Sequence, residues 1–137
     1  MLWEQWRDAG DSFATHLPEY STMLLTPDAF AQARQFIHEQ GRSLEKARFH
    51  HYFQGQAAAH VVAELAAFQN PDGGFGHGLE PDVRTPKSSA IGTSIALQVA
   101  RSLHLPASHF LVTGGMQYLR RTLNPDTLHW RIIPPTT

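Results

Sequence analysis

The chain reads as an all-α domain, and three observations carry that expectation. Apolar residues recur at helical spacing in successive segments, Pro and Gly punctuate the gaps between them, and no segment alternates clearly as a half-buried strand does. With 137 residues, 42% of them hydrophobic, the chain is one domain's worth and long enough to bury a core.

Residues 28–40 place Phe30, Ala33, Phe36 and Ile37 on one helical face, with Pro27 and Asp28 at the start and Gly41 as the stop. After Gly41, Leu44, Ala47, Arg48 and His51 fall at helical spacing and predict a short helix rather than a strand. Val61, Val62, Leu65, Ala66 and Phe68 then lie on an Ala-rich background with no breaker until Pro71, the clearest helix in the chain. Ser88 or Ser89 caps the next helix, whose Ile91, Ile95, Val99 and Leu103 form an i, i+4 row. Pro106 interrupts the chain. A last helix, from about Ser108 to Leu123, is expected to bury Val112, Met116, Leu119 and Leu123, and Gly114 and Gly115 weaken it locally.

Eleven Lys and Arg against twelve Asp and Glu leave no basic field for a phosphate backbone, so nucleic acid is not an expected partner. The absence of Cys removes disulfides, thiolate nucleophiles and Cys-based zinc sites. Glu4 and Asp8 do not suit a signal peptide, and no run of about 18 apolar residues offers a transmembrane segment. A soluble, cytoplasmic protein is expected. Residues 1–22, with Trp3, Trp6, Phe13 and Tyr20, read as an N-terminal extension, because Met23 is a natural opening for the first helix and the domain proper.

The informative segment is the loop 69–87, QNPDGGFGHGLEPDVRTPK, too long for a plain helix–helix turn. Asn70-Pro71-Asp72-Gly73 suits a type I turn, and Phe75 is the apolar anchor of a glycine-rich run. Asp72, Glu80 and Asp82 exceed Arg84 and Lys87 by one charge. Three readings compete. The acids supply a proton donor with a raised pKa; or they join His77 as metal ligands; or Asp72 and Asp82 accept backbone N–H groups in turns while Arg84 pairs with Glu80. If there is catalysis, Glu80 and Asp82 are the expected donors, desolvated by Leu79, Pro81 and Val83, with Asp72 a third candidate; Phe75, His77 and Arg84 are the expected substrate contacts. No metal and no cofactor are expected. For His50-His51 a pocket or metal role competes with polar surface or satisfied histidines, the favoured reading, and for Phe49, Tyr52, Phe53, Phe68 and Phe75 a cation-stabilising aromatic wall competes with plain core, the favoured one. Asn-Pro-Asp returns at 124–126, so Asn70 and Asn124 lie 54 residues apart, the period of a helical-hairpin repeat.

Gln69, Gly73 and Phe75 resemble the Gln-x-x-x-Gly-x-Trp repeat of squalene and oxidosqualene cyclases, with Phe in the Trp place. The Asp-Gly-Gly-Phe-Gly core is similar to repeats of protein prenyltransferase β subunits, and Thr26 to Pro134 resembles bacterial members of that superfamily. The resemblance implies an α/α toroid of helical hairpins around an apolar cavity. It also implies structural roles for Gln69, Gly73 and Phe75 in tying helix ends together, and a hydrophobic isoprenoid as ligand. The second loop has Leu123 for Gln, Thr127 for Gly and Trp130 one position late. The chain has neither the cyclases' Asp-x-Asp-Asp proton donor nor the Cys of the transferases' zinc site, so independent activity is not expected. A full ring of five or six hairpins of about 50 residues needs twice this length, so a partial toroid of two to three repeats at 23–137 is expected, a truncated product that self-associates through exposed helix faces. The alternatives are a toroidal polysaccharide lyase or hydrolase using the loop carboxylates, and a non-catalytic helical binding module.

Overall fold

The computed structural model describes residues 25–132, so the expectations for residues 1–22, Met23 and the terminal PPTT lie outside the described residues. Five helices occur among them and no strand longer than a single-residue bridge: α1 (Pro27–Gln40), α2 (Ser43–Gln54), α3 (Ala58–Ala66), α4 (Ala90–Ser102) and α5 (Phe110–Thr122). The all-α expectation holds. One compact unit ends at Phe36 and a second begins at Ile37.

The caps follow local chemistry. Thr26 Oγ1 accepts the Ala29 N–H ahead of Pro27, and Ser89 Oγ accepts the Gly92 N–H at the start of α4. His109 caps α5, its Nδ1 accepting the Leu111 N–H. α1 stops at Gly41, and α2 at Gly55, whose N–H closes on the His50 carbonyl.

In the second unit α2 packs on α3 and α4 on α5, giving two helical hairpins. One core runs through both: Leu44 and Ala47 of α2, Val61 and Leu65 of α3, Ala96 and Val99 of α4, and Leu111 of α5 surround Phe75 and Leu79, which the long loop inserts between them.

Three apolar faces differ from expectation. On α2, Tyr52 and Phe53, read as core aromatics, are 45% and 63% exposed. α5 buries Leu111, Gly115 and Tyr118, while Met116 is exposed. The helix is turned this way because Gly114 and Gly115 let its backbone approach the loop and α4 more closely than a side chain would allow. α1 buries none of its residues, and Phe36 keeps 66% of its surface exposed.

Candidate functional site

The loop between α3 and α4 is organised around Phe75, which has no exposed surface. Its backbone pairs on both sides, with Gln69 and with Ser89, in two single-residue antiparallel bridges. Its N–H donates to Thr93 Oγ1 at 3.0 Å, and the fully buried Thr93 hydroxyl donates to the Ser89 carbonyl. The ring is thereby fixed to the first turn of α4.

The turn before Phe75 forms as the residue types dictate. The Gly73 N–H donates to the Asn70 carbonyl at 2.9 Å, closing the four-residue turn. Gly73 has φ +83°, and a Cβ there would stand 2.6 Å from the Gly114 carbonyl oxygen on α5. Only glycine meets both conditions. Gln69 Nε2 donates to the Gly73 carbonyl. Asn70 reaches furthest: its Nδ2 donates to the Pro86 carbonyl and to Ser88 Oγ, its Oδ1 meets His77 Nε2 at 2.8 Å, and so one amide ties both ends of the loop.

The acids are separated by this arrangement. Asp72 Oδ1 accepts from the Gly74 N–H and from Ser88 Oγ at 2.7 Å, a turn-forming role. Glu80 is half-buried and Asp82 exposed; Leu79, expected to desolvate them, points into the core, and Pro81 is exposed. Arg84 does not pair with Glu80: its Nε donates to the Pro81 carbonyl. The residue that holds this part of the loop is Arg42, which the sequence reading did not single out. Its guanidinium forks onto both carboxylate oxygens of Glu45, at 2.9 and 2.6 Å, and donates to the carbonyls of Gly78 and Leu79. It also lies over the Phe68 ring, 5.7 Å from its centre. Burial by itself would raise the Glu45 pKa, but the hydrogen bond and charge of Arg42 outweigh it and hold the carboxyl below its ordinary value.

Clefts flank the loop, one of them, of about 490 Å³, between the 69–73 turn and Phe110, Gly114, Gln117 and Arg121. A second, of about 690 Å³, is lined by Asn70, Asp72, His77, Ser88, Tyr118 and Thr122, among others. Burial, and then the charge of Asp72, raises the Tyr118 phenol pKa, which keeps its proton on in this cleft. A third, of about 390 Å³, joins His77 and Arg84 with Arg42 and Phe68. Of the residues expected to act together, Asp72 and His77 meet in the second and His77 and Arg84 in the third; Glu80 and Asp82 line none of the three, and the Phe75 ring is in the core. Among the described residues no group of three or more His, Asp or Glu comes together as a metal centre, and no helix is long and apolar enough to cross a membrane.

No family model, curated protein or solved structure matches the chain.

Proposed function

We propose that this chain is a pair of helical hairpins of the α/α-toroid kind, related to the terpenoid cyclases and prenyltransferases, in which the 69–89 loop is a clasp between hairpins and not a catalytic apparatus. The observation that carries this reading is the engagement of Asp72: its carboxylate is committed to Gly74 and Ser88, while Glu80 and Asp82 stand apart from it. A proton donor for an isoprenoid needs an acid at the rim of an apolar cavity. A mostly apolar hollow of about 510 Å³ is lined by Leu97, Leu105, Ala107, Val112 and Met116, with Arg101 and His104 at its polar side, and by no carboxylate. Its lining suits a prenyl chain, so weak isoprenoid binding without turnover is the expected behaviour. Incubation with squalene or a prenyl diphosphate should give no product. Conversion abolished by Glu80→Gln or Asp82→Asn would replace this reading with an enzyme.

A second reading, a non-catalytic binding module, is favoured by the cleft of about 690 Å³, where the Tyr118 phenol, Asp72 and His77 offer donors and acceptors to a hydroxyl-bearing ligand. The hydrolase alternative gains nothing from it, because the cleft holds one carboxylate and glycoside hydrolysis ordinarily uses two. Saturation-transfer NMR against a panel of monosaccharides, with Tyr118→Phe as the variant, separates this reading from the first.

A further inference from the structure

The sequence draws attention to the adjacent His50-His51, but the fold pairs His50 with a different residue. His38, in the last turn of α1, and His50, on α2, place their ring centres 4.9 Å apart with planes inclined by 39°. Both belong to the second compact unit. The buried Phe49 ring stands edge-on to both, 6.0 Å from His38 and 6.3 Å from His50, and gives the pair an apolar floor. Neither imidazole has a hydrogen-bond partner among the described residues, whereas His51 Nδ1 is taken by the Gln56 carbonyl at 2.7 Å. His38 is exposed and His50 half-buried, so solvent reaches the pair.

We propose that His38 and His50 form a two-histidine site for a divalent cation that favours imidazole, of the zinc, nickel or copper class. With a zinc–nitrogen bond of about 2.1 Å, an imidazole centre lies about 3.2 Å from its metal. Two rings with centres 4.9 Å apart then subtend about 100° at one ion, between the octahedral and tetrahedral angles. Neutral imidazole suits these metals, and hard cations such as magnesium and calcium, which prefer oxygen, are not expected to bind. Water completes the coordination sphere. The two ligands come from successive helices, so a bound ion ties the end of α1 to α2 and stabilises the folded chain by mass action.

The test uses the tag-free full chain titrated with zinc chloride in a calorimeter. His38→Ala and His50→Ala are each expected to weaken binding about a hundredfold, the loss of chelation when one of two tethered ligands is removed. The double variant should lose less than the sum of the two single losses, because the first substitution already breaks the chelate. His51→Ala should leave affinity unchanged. In the unsubstituted chain, paramagnetic nickel should broaden the ring signals of His38 and His50 together and before those of other histidines, a readout that needs no variant to fold. Zinc binding that survives both single substitutions, no binding by the full chain, or broadening centred on other histidines overturns the site.

Discussion

The tripeptide Asn-Pro-Asp occurs twice, each time after a helix, and the two copies do different work. At 70–72 the asparagine side chain spans the loop to Pro86 and Ser88, and the following chain turns inward to seat Phe75. At 124–126 the Asn124 carboxamide folds back on its own turn, accepting the N–H groups of Asp126 and Thr127. The aromatic that follows, Trp130, stays 43% exposed and is held by one bond from its indole N–H to the Leu119 carbonyl. Glycine separates the two. Gly73 and Gly74 let the first turn press against α5 and Tyr118, whereas the second has Thr127 and Leu128 there, and Leu128 is pushed to φ +55°. A shared turn motif fixes a local bend; the residues after it decide whether the bend closes a core.

The largest effect should separate the two aromatics. Phe75→Ala is expected to cost about 3–5 kcal/mol, the range for a fully buried Phe, and Trp130→Ala well under half of that, both read by denaturant titration. Equal costs would mean that the second loop also anchors the core. Next comes the backbone. Gly73→Ala should lose at least about 2 kcal/mol, because a left-handed residue and a collision with the Gly114 carbonyl combine. Leu128→Gly should be neutral or gain up to about 1 kcal/mol by relieving its positive φ. Asn70→Ala should cost about 1–3 kcal/mol by leaving the buried Ser88 hydroxyl and the Pro86 carbonyl without this partner, and Asn124→Ala about 1 kcal/mol or less. Hydrogen exchange should show the first opening the whole loop and the second only its own turn.

The smallest effect is one of acidity. The Glu45 pKa is lowered in the folded state, so its contribution is present above the ordinary carboxylate value of about 4.3 and is lost as pH falls through the folded value. For a partly exposed pair this is under about 1 kcal/mol. Stability measured down that acid range should fall less in Glu45→Gln than in the unsubstituted chain; identical profiles would remove the Arg42–Glu45 fork from the clasp.

The elements with local causes were legible in the sequence. The five helices, the Ser89 cap, the turn at 70–73 and Phe75 as anchor all follow from spacing, capping and turn chemistry within a few residues. What escaped was set at long range. Arg42 looks like any surface arginine until Gly78 and Leu79 are brought to it from 36 and 37 residues away. His38 and His50 become a pair only when α1 and α2 are folded. The buried face of α5 was misassigned because the Val112, Met116 and Leu119 row is the more apolar, while the row actually used owes its place to glycine. The loop carboxylates were legible as a cluster in sequence and not in space: one turn commits Asp72, and the chain carries Glu80 and Asp82 past it.

The meeting of Gly73 with Gly114 also sets where α5 stops along its own axis. A Cβ at Gly114 would stand 2.6 Å from Gln69 Nε2 and 3.3 Å from the Gly73 Cα, and the amide of Gln69 can swing aside for a methyl group. Nothing can swing aside for a ring. A slip by one helical turn, about 5.4 Å, would bring Phe110 or Tyr118 to this point. The contact therefore acts as a detent: α5 seats in one position against the loop, and its neighbouring positions are blocked by aromatic bulk rather than merely less attractive.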